Sequence, residues 1–238
     1  LKCSFDRFSP AGILTLAPSF ESLGFLAKQP AILARLLRGL GMAGREMRFS
    51  EILIPIESEM RELSAAVQNA LQRVATQLKA RQLSEPLGFL RARQLRKVLI
   101  ASEVIKQIEA HKIDPESLPS EGLALVELAK KLSPKEVGAA TAERQSLAER
   151  VCGIVGEDRA ILYPAFSGAV PLWSDILSGK LIRAGQLGTF LALSNLVGLP
   201  SLAYPVSGTR SPIPPSLQLM GPKNSELSLL QTAASFSH

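Results

Sequence analysis

The sequence predicts an α/β fold, and three features carry the prediction: a strongly amphipathic helical stretch over 58–81, a later change to short apolar runs bounded by proline and glycine, and the absence of any internal repeat or linker. The 238 residues are 46% hydrophobic and 20% charged. That is a globular composition, long enough for one large domain or two small ones.

Residues 1–28 read as loop and short extended pieces, because Pro10, Gly12, Pro18 and Gly24 interrupt any long period. Pro30, tolerated at a first helical position, opens a helix that places Ile32, Leu33, Leu36, Leu37 and Leu40 on one face, and Gly39, Gly41 and Gly44 end it. Over 58–81, Met60, Leu63, Val67, Leu71, Val74 and Leu78 recur at steps of three and four. A helix over 87–109 and a proline-containing loop over 114–120 follow. Ser133, Pro134 and Glu136 supply an N-cap, a first-turn proline and a capping-box partner for a helix reaching about Val155, with Val137, Ala140, Leu147 and Val151 on its face. Beyond it, 160–163, 201–206 and 217–220 suit buried strands. Asn224 is placed to cap a last helix carrying Leu227, Leu230 and Ala234.

Charge selects no partner. The net charge is +6 and the pI near 9.5, but lysine and arginine are spread along the chain rather than gathered in a tail. The basic stretch Arg91, Arg93, Arg96 and Lys97 has no interleaved aromatic residue to stack on bases, so it reads as a solvated helix face and no nucleic-acid partner is expected. No apolar run reaches the roughly 18 residues of a membrane span, and the first residues make no signal peptide. Cys3 and Cys152 lack CxxC spacing, and with His111 and His238 they are too few for a zinc site. The expectation is a reduced, cytoplasmic protein with no metal and no cofactor. His111 reads as a surface histidine.

Two further motifs are weaker than they look. Residues 39–44 match GxGxxG, but a helix precedes the glycines, whereas a dinucleotide turn needs a strand before it and a helix after it. Helix termination is the better reading. Serine catalysis requires a nucleophile on a fixed turn with a base and oxyanion donors around it. The sequence holds no Gly-x-Ser-x-Gly elbow, no Ser-Ser pair and no Gly-Gly-Ser turn.

Two stretches carry a family resemblance. Residues 1–9 (LKCSFDRFS) and 16–28 (LAPSFESLGFLAK) resemble the GLKPSxGRVS and PLAPSLDTVGPLAR segments of the amidase-signature family. Tyr163-Pro164 with Pro171, then 195–205 (NLVGLPSLAYP) and 216–222 (SLQLMGP), resemble its PTxxxxAP, NLxGLPALSVP and GLQLVGP segments in the same order. Departures include Cys3 for Pro, Asp6 for Gly, Glu21 for Asp, Lys28 for Arg and Ser216 for Gly. Asp6 tolerates a glycine-type turn less readily than glycine, which predicts a rearranged first loop.

The resemblance implies the C-terminal part of an α/β/α fold with a mixed β-sheet flanked by helices, and a parent chemistry of amide carbon–nitrogen hydrolysis through a serine acyl-enzyme. The family's catalytic Lys, cis-peptide Ser and nucleophilic Ser all precede the LKPS segment, which here comes first, so no catalytic residue is carried over. The family's segment matching 163–173 borders the substrate funnel, which makes Tyr163, Phe166 and Trp173 candidate substrate-binding residues. The expectation is therefore one portion of a single amidase domain over 1–238, inactive alone, with the N-terminal half and a small-molecule amide as partners and self-association when isolated. The alternative is a non-catalytic binding or scaffold protein that retains half of the fold.

Overall fold

Five short strands hold the molecule together, in the order β2-β1-β3-β5-β4, and the computed structural model describes them with residues 1–9, 11–42, 46–168, 173–178, 188–206 and 213–235. β1 (Glu51–Ile54) runs parallel to both β2 (Arg81–Gln82) and β3 (Arg159–Pro164), while β5 (Ser216–Met220) is antiparallel to β3 and to β4 (Ser201–Pro205). The sheet is thus mixed, as expected. All of β3 after Arg159 and all of β5 after Ser216 are buried, which is why those stretches read as continuous apolar runs rather than as alternation.

The helices are α1 (Pro30–Gly39), α2 (Ala65–Gln77), α3 (Phe89–His111), α4 (Ser120–Lys131), α5 (Pro134–Val155), α6 (Trp173–Leu177), α7 (Leu191–Val197) and α8 (Glu226–Ala234). One group, α3, α5 and α7, packs together and reaches the sheet through α5 on β3, with α4 lying on α3; in the other, α1 packs on α8, α8 on β4 and β5, and α2 on β3 and β5. One continuous apolar cluster runs through both groups, and a smaller one around Val104, Ile108 and Val126 joins α3 to α4.

Several local expectations are corrected. The helix expected over 58–81 is interrupted: Glu57–Met60 forms a 3-10 turn, and Ser64 sits in extended backbone, its hydroxyl capping Val67 and its N–H bonded to the Ser167 carbonyl at 2.8 Å. The apolar face is nevertheless the expected one, with Leu63, Val67, Leu71 and Val74 buried. α4 occupies a stretch that showed no clear period. α8 is not capped by Asn224, which takes a left-handed φ of 67° and donates its N–H to Ser4 Oγ; Ser225 is the N-cap, and Ala233 rather than Ala234 is buried. On α1 only Leu33 and Leu37 are buried, leaving Ile32, Leu36 and Leu40 exposed. Gly39 ends that helix as expected; Gly44 lies outside the described residues. The capping box at Ser133 forms in full.

The loop 1–9 accommodates its aspartate. Asp6 takes φ 59° itself, in the left-handed region that Asp enters more readily than most side chains, so the turn forms without a glycine.

Candidate functional site

Strand register gathers the polar residues of the core. Tyr163, Gln218 and Ala203 stand opposite one another across β3, β5 and β4, and two positions along, Ile161, Met220 and Ser201 do the same. Residues two apart share a face, so Tyr163, Gln218, Met220 and Ser201 project together. Gln218 Nε2 donates to the Tyr163 hydroxyl at 2.9 Å and to Ser194 Oγ at 3.1 Å, and Ser201 Oγ donates to Ser194 Oγ at 3.1 Å. The phenol reaches Met220 Sδ at 3.9 Å. All four polar residues are buried, and burial raises the Tyr163 phenol above its ordinary range, so it stays protonated at neutral pH.

Two cavities flank this network, and α3 contributes to the wall of both. The first, of about 590 Å³, is bounded by Glu59, Phe89, Arg93, Thr189 and Phe190 among others. Phe89 stacks edge-on against Phe190 with centroids 5.0 Å apart and lies 5.1 Å from the Tyr163 ring. The start of α3 is held by Glu59, whose carboxylate accepts from the N–H groups of Leu87 and Gly88, both at 2.7 Å, and of Phe89 at 3.3 Å. These are donors that a helix N-terminus leaves unsatisfied, and a carboxylate there also complements the helix dipole. The second cavity, of about 600 Å³, is bounded by Lys2, Arg96, Ser194, Asn195, Ala203 and Gln218 among others.

The residues around the second cavity are tied down from several directions. Lys2 Nζ donates to the carbonyls of Cys3 and Leu199, and burial lowers its ammonium to about 8. Arg144 of α5 donates to Ser19 Oγ and the Ser19 carbonyl, both at 2.6 Å, and to the Leu196 carbonyl at 2.9 Å, while its guanidinium lies 4.1 Å from the ring centroid of Phe20, a residue of the cavity wall. Ser19 is also bonded to Glu103 of α3 through its N–H and hydroxyl. One arginine thus fixes the 17–20 loop against α3, α5 and α7.

The three sequence-predicted residues are spread apart. Tyr163 is fully buried and touches the walls of both cavities, through Phe89 on one side and Gln218 on the other. Phe166 is half-buried next to Ser167, which lines the first cavity. Trp173 begins α6 and is 71% exposed; Pro171 lies outside the described residues. Sequence reasoning missed Gln218, Ser194, Asn195, Phe89 and Phe190. It also took Arg93 and Arg96 for solvated residues, whereas both are half-buried against cavities; Arg91, paired with Glu143, and Lys97 do face solvent.

No family model matches the chain, and neither does any curated protein. Solved structures do. The fold superposes on a crystal structure of an amidase with a TM-score of 0.79 over 98% of this chain, at 21% identity. A 6-aminohexanoate cyclic dimer hydrolase matches with a TM-score of 0.74 over 99% of this chain at 16% identity, and a Kluyveromyces lactis allophanate hydrolase with 0.72 over 99% at 20% identity. The chain carries part of the amidase-signature fold. It spans 56%, 59% and 42% of those three chains, in the same order. Gly198, within 195–205, ends α7 at φ 74°, and its carbonyl accepts from the Phe5 N–H at 2.9 Å, joining 195–205 to 1–9. Among the described residues no helix is long and apolar enough to cross a membrane.

Proposed function

We propose that this chain is the C-terminal portion of an amide carbon–nitrogen hydrolase, supplying part of the sheet and of the substrate-binding wall, and that it hydrolyses no amide by itself. The observation that carries the reading is the coverage: 98% of this chain superposes on an amidase of which it spans 56%. In this reading the serine acyl-enzyme chemistry resides in an N-terminal half that pairs with this one. Tyr163 backs the substrate wall as a protonated, hydrogen-bonded anchor, with Phe166 and Trp173 nearer the funnel mouth.

Loss of a serine nucleophile costs on the order of 10⁶ in kcat even when the rest of such a site is intact. Purified chain assayed against simple aryl and aliphatic amides is therefore expected to give background rates. Turnover coupled to labelling by a serine-reactive probe would overturn the reading. With the N-terminal half present, Phe166→Ala and Trp173→Ala are expected to change KM or substrate preference more than stability, and unaltered kinetics in both would remove them from the funnel.

A further inference from the structure

α1 is apolar over more of its circumference than its own fold covers. At about 100° per residue, Ile32, Leu36, Leu40, Leu33 and Leu37 fall in that order across an arc of about 140°. Leu33 and Leu37 are buried in the helix that packs on α8, whereas Ile32, Leu36 and Leu40 stand about half exposed. Leu40 follows the last helical residue but keeps the period, since its N–H donates to the Leu36 carbonyl at 2.9 Å. The exposed three are therefore a row at i, i+4 and i+8, about 12 Å long, the kind of ridge that one helix lays into the groove of another. The charge around the row has one sign. From 22 to 45 the chain carries Lys28, Arg35, Arg38 and Arg45 and no Asp or Glu. Arg38 is paired with Glu46. Arg35 lies about 60° from Ile32 on the side away from Leu36, and neither it nor Lys28, both exposed, has an ion-pair partner among the described residues. One border of the row is thus the α8 contact and the other is basic.

We propose that the row Ile32, Leu36 and Leu40 is the docking site of an amphipathic helix of the N-terminal half, one that brings apolar side chains at matching spacing and acidic side chains on the border facing Arg35 and Lys28. That the partner belongs to an N-terminal half rests on the amide-hydrolase reading. Burial of the row between two helices supplies affinity, while the basic border, complementary to acids, fixes the register and excludes a basic partner.

The test uses the assembled protein, this chain co-expressed and co-purified with its N-terminal half. In that complex a thiol placed by Leu36→Cys should react with a maleimide roughly tenfold more slowly than one placed by Arg38→Cys on another side of the same helix, each site read by peptide mass spectrometry. On dilution, followed by sedimentation, Leu36→Asp should raise the dissociation constant roughly tenfold or more. Arg35→Glu should raise it about threefold at low salt and less at high salt, and Arg38→Gln should leave it unchanged. If Leu36→Asp yields no complex, Leu36→Ser and the thiol comparison decide. Equal reactivity of the two thiols, or a wild-type dissociation constant in Leu36→Asp, would overturn the proposal. So would binding of the assembled wild type to vesicles of anionic phospholipid that Leu36→Asp abolishes, or a paired complex that Leu36→Asp makes single, since a bilayer or a second copy would then occupy the row. Failure of the wild-type halves to associate would overturn both this proposal and the proposed function. Absence of amide turnover by a complex that shows the protection would overturn the proposed function and leave this docking in place.

Discussion

At the residue scale, the informative positions are those where burial and chemistry conflict. Burial lowers the Lys2 ammonium from 10.5 to about 8, and pushes the neighbouring Cys3 thiol from 9.0 to about 11. Between pH 8 and 10.5 the unfolded chain holds the Lys2 proton that the folded chain has released, so stability rises with pH. From pH 9 to 11 the folded chain keeps the Cys3 proton that the unfolded chain has lost, and stability falls. The two effects oppose each other above pH 9, which leaves pH 8 to 9 as the window in which the Lys2 rise is unopposed, on the order of 1 kcal/mol, with the buried N-terminal ammonium of Leu1 acting in the same direction at its lower end. With the N-terminal half supplied, urea midpoints should climb over that unit in the wild type and climb less in Lys2→Met; a level wild type would contradict a buried ammonium. Gly198 is constrained differently. It sits at φ 74°, and a Cβ there would fall 3.1 Å from Phe5 Cβ, so the neighbour would have to give by a few tenths of an ångström. Gly198→Ala should lose about 1–2 kcal/mol from the left-handed strain alone, read as a lower urea midpoint with the N-terminal half supplied; an unchanged midpoint would show that the loop gives way.

At the scale of elements, what the sequence disclosed tracks how much of each element's signal lies in its own residues. α5 announces itself through Ser133, Pro134 and Glu136, and the structure forms both bonds of the box, Glu136 N–H to Ser133 Oγ at 3.2 Å and Ser133 N–H to Glu136 Oε2 at 2.8 Å. Ser133→Ala should cost about 1 kcal/mol, whereas Ser133→Gly should cost only a few tenths; equal losses in thermal unfolding with the N-terminal half supplied would place the effect elsewhere. β2 was not readable, because Arg81 and Gln82 pair through backbone and are exposed. β1, four residues ending before Pro55, is too short for alternation to separate it from the helical pattern after it. Among its described residues α4 buries only Val126, and so leaves almost no periodic trace. The candidate site was the least legible part. Tyr163 was found through a family segment, but its partners Gln218 and Ser194 lie within apolar stretches where a lone polar residue gives no period. Arg96 did leave a usable sign: it is four residues after Ala92 and three before Leu99, both buried, so the helical period places it inward.

At the scale of the molecule, the proposed function requires a sheet edge and an apolar surface for another segment to complete. Ser201 exchanges both backbone bonds with Lys2, at 2.8 and 3.0 Å, so by strand alternation the next outward-facing backbone groups of β4 are those of Ala203, an exposed residue. Among the described residues no further strand pairs there. Apolar surface accompanies that edge elsewhere on the fold: Leu26 is 99% exposed, Ile32, Leu36 and Leu40 form a stripe on α1, and Leu90 and Trp173 are also exposed. Mean hydropathy is +0.18. A fully exposed side chain such as Leu26 forgoes roughly 1.5–3 kcal/mol of burial and a half-exposed one about half of that, so several together are a sizeable part of the ~5–15 kcal/mol stability of an ordinary domain. Unpaired edges and contiguous apolar faces associate. The most direct test is sedimentation velocity of the purified chain, with thermal unfolding and binding of a dye that reports exposed apolar surface on the same samples. The account predicts self-association or loose packing with strong dye binding, relieved when the N-terminal half is supplied; a compact monomer with a sharp cooperative transition and no dye binding would contradict it and make this chain an autonomous domain.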